Sequence, residues 1–309
     1  MPTLVLAGGS GFLGRALARH FHTLNWDVRI LARHEPHDTP GTFIQWDGVR
    51  QGPWSREVDG ADAVVNLAGR SVNCRYDAQN MLDIYTSRLW PTRALHEAVR
   101  AARTPPRVWL NASSATIYRH ALDGAQDETR GELGTGFSVD VCRRWEAAFF
   151  AGDLTRTRRV ALRTGLVYGP GRGGIMAATD GVVRAGLAGS MAGGRQRVSW
   201  IHVDDFVRSV EFLIDGPLAG PVNVCAPHPL QNHEFLAAYR AAWRQPVGIP
   251  SAAWMLRVGA AVMHSEAELL LKSRWVLPTR LLEAGFQFVF PTWPEAIQDL
   301  VTRAHQETP

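Results

Sequence analysis

Gly8-Gly9-Ser10-Gly11-Phe12-Leu13-Gly14 carries the spacing G-x-x-G-x-x-G, directly after the apolar run 3–7 and before a segment of helical periodicity. Glycine lets a backbone turn tightly and approach an anion. A helix N-terminus adds free N–H groups and the positive end of its dipole. The chemistry that fits is the cradling of a dinucleotide's pyrophosphate, with Gly8, Ser10, Gly11, Phe12, Leu13 and Gly14 as the contacts. The spacing alone is common by chance; its place between a strand and a helix gives it meaning.

The end of the next apolar run distinguishes the two nicotinamide dinucleotides. An acidic residue there would hydrogen-bond a ribose 2′-hydroxyl, whereas this run ends Leu31-Ala32-Arg33-His34. The Arg33 guanidinium matches a 2′-phosphate in charge and in fork geometry, so NADP (NADPH) is the expected cofactor. The plain alternative is a solvated loop arginine. Asp47 is the candidate for the adenine amino group. Asn66, Ala68 and Gly69 would pass beside the nicotinamide ribose.

The elements that must hold these residues follow from periodicity. Apolar runs predict strands at 3–7, 26–32, 42–46, 63–67, 107–112 and 158–166. Helices are expected at 12–24, with Leu13, Leu17, Phe21 and Leu24 on one stripe, at 77–103, where Pro91 should kink or split the helix, and at 138–150. This alternation predicts an α/β fold: a Rossmann-like, doubly wound parallel sheet covered on both faces. Beyond Tyr168 the pattern loosens into a glycine-rich loop, a helix near 204–214, a strand near 220–225 and short helices. The expected division is therefore an NADP-binding domain over 1–170, with the strand near 220–225 returning to it, and a smaller, mostly helical substrate-binding region over 171–309.

Composition narrows the class. The 309 residues are 46% hydrophobic and 20% charged, a globular balance, and the net charge of +4 includes no run of five basic residues. Neither nucleic acid nor a membrane is the expected partner; a small-molecule substrate is. The apolar stretch 252–263 contains Arg257 and is too short to span a bilayer. Three widely spaced cysteines suggest neither a disulfide framework nor a zinc site, and fit a reducing cytoplasm. The N-terminus lacks the basic region and cleavage site of a signal peptide. Asn111-Ala112-Ser113 matches a glycosylation sequon at the end of a predicted buried strand and is read as chance. Lys272 is the only lysine.

Several segments resemble the extended short-chain dehydrogenases, the superfamily of NAD-dependent nucleotide-sugar epimerases and dehydratases. Asn111-Ala112-Ser113-Ser114-Ala115-Thr116-Ile117-Tyr118 is similar to the segment in which a serine precedes Ala-Thr-Val-Tyr. Arg163-Thr164-Gly165-Leu166-Val167-Tyr168-Gly169-Pro170 and Ser199-Trp200-Ile201-His202-Val203-Asp204-Asp205 resemble two further elements. A closer resemblance, carried by 137–146, Ser87-Arg88, 220–227 and 277–286, is to an atypical branch, the YfcH-like epimerase-family proteins. It implies Ser114 at the catalytic serine position, Ser113 and Tyr168 beside the cofactor, and a homodimer of which the chain gives no independent sign. The superfamily's usual base is a tyrosine with a lysine four residues later. Counting back from Glu146, those positions hold Ser138 and Cys142, and no lysine precedes Lys272.

The substitutes each have two readings. Ser114 orients a substrate oxygen or is a small residue packed under the cofactor. Cys142, helped by Arg143, acts as acid or nucleophile, or is a buried small hydrophobe. Tyr118 donates a proton, or packs the strand end with its hydroxyl in water; Tyr168 is the other nearby phenol. Arg88, on an apolar helix stripe, must find an anion: cofactor, substrate, or an internal acid. His202, Asp204 and Asp205 suggest a metal superficially, but Asp204 or Asp205 is expected to cap a helix, and no metal site is assigned. Glu128 is a loop acid within reach of the cleft or a solvated one. Trp243, Trp254, Trp275 and Trp293 would build the small region's core or a pocket wall. The expected function is an NADP-dependent oxidoreductase acting on a small carbonyl or alcohol. The alternatives are a nucleotide-sugar epimerase or dehydratase, or a non-catalytic NADP-binding sensor or scaffold.

Overall fold

Thr3–Ala7 forms an inner strand, β1, of a seven-stranded sheet, and its pleat explains the unbroken apolar run. Leu4 and Leu6 enter the core on one face; Val5 and Ala7 enter the core on the other. The computed structural model describes residues 1–262 and 266–307. After β1 come α1 (Phe12–Thr23), β2 (Asp27–Ala32), β3 (Thr42–Gln45), β4 (Ala63–Asn66), α2 (Ala78–Ala101), β5 (Val108–Ser114), α3 (Phe137–Phe150) and β6 (Arg158–Thr164). Then follow β7 (Leu166–Tyr168), α4 (Ile175–Arg184), β8 (Arg197–Val198), β9 (Trp200–His202), α5 (Val203–Asp215), β10 (Gly220–Val224) and β11 (Leu230–Gln231). The remaining helices are α6 (Asn232–Ala242), α7 (Ala253–Val262), α8 (Glu268–Leu271), α9 (Thr279–Glu283) and α10 (Trp293–Glu307).

The sheet order is β10-β6-β5-β4-β1-β2-β3, and every neighbouring pair is parallel. The order reverses between β1 and β4, and ligands of such sheets bind at the carboxyl ends of the strands at that point. Register brings Ala7 beside Leu31 and Asn66, Asn66 beside Asn111, and Ser114 beside Thr164. The turn after β1, the loop after β4 and the end of β5 therefore border one cleft. The sheet's cover draws on residues from both sides of position 170. Leu17 and Phe21 of α1 pack with Phe206 and Val210 of α5 on one face, and Leu95 of α2 with Phe149 of α3 on the other.

α2 is not split at Pro91, one of the two outcomes expected there. A proline inside a helix costs about 3 kcal/mol. Buried Ile84, Leu95 and Val99, at roughly 1.5–3 kcal/mol each, outweigh that cost. The sixth strand ends earlier than its apolar run. A Cβ on Gly165 would lie 2.9 Å from the Ser199 carbonyl oxygen, so glycine admits the close approach at which β7 leaves the sheet and pairs with β9.

The C-terminal region has an aromatic core of Tyr168, Trp200, Phe235, Tyr239 and Trp293, with Phe235 and Trp293 stacked at 4.0 Å. Trp243 packs at its edge and Trp275 lies under Arg197, but Trp254 is 66% exposed on α7 and belongs to neither core nor pocket wall. His202, not Asp204 or Asp205, caps α5, its Nδ1 accepting the Asp204 N–H at 3.0 Å. That bond leaves the proton on Nε2, facing Asp299 at 3.1 Å. Asp205 is buried and accepts the Val289 and Phe290 N–H groups, both at 2.8 Å, fastening the C-terminal segment to α5.

Candidate functional site

The glycine turn is packed so tightly that side chains are excluded from most of it. A Cβ on Gly14 would lie 2.4 Å from Gly9 Cα, and one on Gly8, where φ is +75°, 2.7 Å from the Ala68 nitrogen. Gly11 differs: its side faces open space, with nothing nearer than 3.7 Å. It caps α1 without any side chain bonding the first-turn N–H groups. An open, uncapped helix start in a cradle closed to side chains fits a pyrophosphate. Arg33 stands just past β2, exposed and without an ion-pair partner among the described residues, which suits a 2′-phosphate. Asp47 is exposed and accepts the Val49 and Arg50 N–H groups at 2.8 and 2.9 Å, so it shapes its own turn. Those two bonds hold its carboxyl below the usual aspartate range.

Asn66 does not face the cleft. It is fully buried, donates to Asn111 Oδ1 at 2.7 Å, and accepts the Ala68 N–H at 3.0 Å, so it positions the loop. Arg88 lies beneath that loop: a Cβ on Gly69 would meet its guanidinium at 3.4 Å. Arg88 donates to the Ile84 and Arg70 carbonyls, both at 3.1 Å, and rests over Trp145 at 5.2 Å. No carboxylate pairs with it among the described residues, so the internal acid envisaged from sequence is not found there. Burial lowers its pKa, and a desolvated cation beside the cleft favours an anionic ligand.

The phenols do not line the cleft. Tyr118 is 1% exposed; its hydroxyl donates to Asn223 Oδ1 at 2.9 Å and accepts from Arg163 Nη1 at 3.0 Å, rather than meeting water. Tyr168 is buried in the aromatic core against Trp293, and burial raises its pKa. Ser113 donates to Glu146 Oε1 at 2.7 Å and is held away from any ligand. Glu128 accepts the Asn223 N–H at 2.8 Å, and burial raises its carboxyl's pKa, so it braces β10 rather than reaching into the cleft. Ser114 remains at the cleft: it is half-buried, and its oxygen accepts the Thr116 N–H at 3.2 Å, leaving its proton to give.

Cys142 is buried, and burial pushes its thiol up to about 12 even with Arg88 nearby; Arg143 is exposed and offers it no help. It is a neutral thiol at pH 7. Alkylation of the native protein should therefore label partly exposed Cys74 and spare Cys142 and Cys225 until the chain unfolds. Labelling of Cys142 in the native state, read by peptide mass, would contradict this placement.

The structure adds side chains that sequence reasoning missed. Ser138, at the position of the usual tyrosine, donates to Glu268 Oε2 at 3.3 Å and lies 3.4 Å from the Tyr76 hydroxyl. Lys272 Nζ donates to the Thr116 carbonyl at 2.7 Å, and Arg274 Nε to Thr116 Oγ1 at 2.8 Å. The segment carrying both is docked on the loop after β5 through the Gln126 N–H to the Trp275 carbonyl at 2.7 Å and the Leu277 N–H to the Gln126 carbonyl at 2.9 Å. No local periodicity announces these approaches; the only signal in the sequence is that Lys272 is the sole lysine.

The chain is similar to known proteins over most of its length. The model of the NAD dependent epimerase/dehydratase family matches residues 4–225, and that of a domain of unknown function, DUF1731, matches residues 252–300. An epimerase family protein of Mycobacterium tuberculosis is 33% identical, over 97% of this chain and 98% of its own. One of Staphylococcus aureus is 28% identical, over 98% of this chain and 100% of its own. Among solved structures, human epimerase family protein SDR39U1 (isoform 2) with NADPH is 29% identical. It covers 97% of this chain and 99% of its own, with a TM-score of 0.86.

Proposed function

The chain belongs to the NAD dependent epimerase/dehydratase family, and from that premise we propose that it is an NADP-dependent oxidoreductase of the atypical extended short-chain type, acting on a small carbonyl or alcohol. The observation that carries the reading is the open start of α1, which has no side-chain cap, together with the exposed Arg33 just past the neighbouring strand β2. The NADPH in the human relative's structure supports the choice of cofactor. When bound, the nicotinamide would give hydride to, or take it from, the substrate carbon.

The chain's residues do the rest. The first-turn N–H groups of α1 hold the pyrophosphate, and Arg33 holds the 2′-phosphate. The Asn66-braced loop of Ala68 and Gly69 borders the nicotinamide ribose, with Arg88 beneath it as the counter-charge for an anionic ligand group. Ser114 gives a hydrogen bond to the substrate oxygen. No helix among the described residues is long and apolar enough to cross a membrane. We place the protein in the cytoplasm, where its three free cysteines stay reduced.

Ser114→Ala tests the role of the hydroxyl. A hydrogen bond that strengthens as charge grows on the substrate oxygen contributes about 1.5–3 kcal/mol, so turnover should fall roughly 10- to 150-fold. NADPH affinity, read by calorimetry, should stay within about twofold, because the hydroxyl does not touch the phosphate cradle. Unchanged turnover would remove Ser114 from the reaction.

A further inference from the structure

The pyrophosphate of a nicotinamide dinucleotide carries two negative charges, and the start of α1 sets only about half an elementary charge against them. The balance calls for a side-chain cation beside the glycine turn. Arg15, the fourth residue of α1, is already committed: its Nη1 donates to the Ser10 carbonyl at 2.8 Å and its Nη2 to the Arg172 carbonyl at 2.6 Å. One planar guanidinium thus joins the glycine turn to the loop after β7. We infer that the Arg172 guanidinium donates to the pyrophosphate oxygens of the dinucleotide, supplying the charge that the N–H groups of α1 leave unmet; the inference rests on the dinucleotide reading above.

Both ends of that loop rest on Phe12, a side chain of the cradle itself. A Cβ on Gly169 would lie 2.9 Å from the Phe12 ring and one on Gly174 3.3 Å, so glycine at both places admits the close approach. Between them Gly171 and Gly173, at φ of +102° and +87°, turn the chain on either side of Arg172. The Arg172 backbone is therefore held beside the turn at its carbonyl and through its neighbours. Its side chain is exposed and makes neither a hydrogen bond nor an ion pair among the described residues. Arg88, by contrast, is bonded to the Ile84 and Arg70 carbonyls, and Arg33 lies past β2 where the 2′-phosphate is expected. A guanidinium fork matches two phosphate oxygens at once. The loop leads directly into α4, whose Met176 and Val183 pack in the C-terminal aromatic core. A contact from Arg172 to the pyrophosphate therefore ties the C-terminal region to the bound cofactor.

The test titrates native protein, Arg172→Ala and Arg172→Glu by calorimetry with NADPH and, separately, with NADH, at two salt concentrations. Both nucleotides carry the pyrophosphate, so Arg172→Ala should weaken both by the same factor, about tenfold. Arg33→Ala, by contrast, should weaken NADPH alone. Arg172→Glu should weaken both nucleotides further, since it sets a like charge beside the phosphates, and the losses should shrink as salt is added. Because the side chain is exposed, both variants should melt like the native protein, which separates a lost contact from a damaged loop. Native-like binding of both nucleotides by Arg172→Ala overturns the proposal, and so does equal binding by the alanine and glutamate variants. A loss confined to NADPH also overturns it, because it places Arg172 at the 2′-phosphate. A native protein that binds neither nucleotide overturns the dinucleotide reading, and the Arg172 contact with it.

Discussion

Replacing Glu146 with alanine should destabilise the protein by about 3–5 kcal/mol and lower its melting temperature by on the order of 10 °C. Glu146 on α3 and Arg163 on β6 are both buried and meet as a two-pronged pair, Nε to Oε1 and Nη2 to Oε2, each at 2.8 Å. Burial by itself lowers the Arg163 pKa, but the hydrogen bonds and charge of Glu146 more than offset it and hold the guanidinium ionised. Alanine would leave that cation desolvated, with the Tyr118 hydroxyl as its remaining bonded side-chain partner, and would strip Ser113 of its acceptor. The pair bolts α3 to the sheet beneath Ser114, so its loss should also loosen the site. Urea unfolding reads the change, with an unaltered slope indicating that the unfolded states are alike. Glu146→Leu combined with Arg163→Met should recover most of the stability, because a buried pair is costly to halve and cheap to replace whole. A Glu146→Ala protein within about 1 kcal/mol of native stability would contradict the role given to the pair.

Arg33→Ala should weaken NADPH binding by about 10- to 150-fold, the worth of a charge-assisted bond to phosphate of roughly 1.5–3 kcal/mol. NADH, which lacks the 2′-phosphate, should bind both proteins alike. Because Arg33 is exposed, the effect should shrink as salt is added, which a change in fold would not do. Calorimetric titration at two salt concentrations separates the outcomes. Equal loss of NADPH and NADH affinity would mean that the substitution disturbs the turn rather than a phosphate contact.

The parallel sheet was legible because its strands are buried on both faces. An unbroken apolar run such as Val64-Val65 can then be only a central strand or a short buried helix, and flanking glycines decide. The glycine turn between β1 and α1 was legible because four glycines in seven residues, set between a strand and a helix, mark a backbone that must pass close to something. Side-chain direction was not. Tyr118 sits four residues past Ser114, yet turns inward to Asn223, 105 positions away. His202 caps α5 with an imidazole nitrogen, a partner less expected than the two aspartates that follow it. The approach of Lys272 to Thr116 spans 156 positions, and Tyr76 reaches Ser138 across 62. Such contacts arise from how the C-terminal segment packs over the carboxyl ends of the strands, and no local pattern encodes them.

Calorimetric titration of the native protein with NADPH and, separately, with NADH tests whether a nicotinamide dinucleotide with a 2′-phosphate sits on the turn before α1. NADPH should bind at least about tenfold tighter, as one charge-assisted phosphate contact requires. Equal or tighter binding of NADH would contradict it.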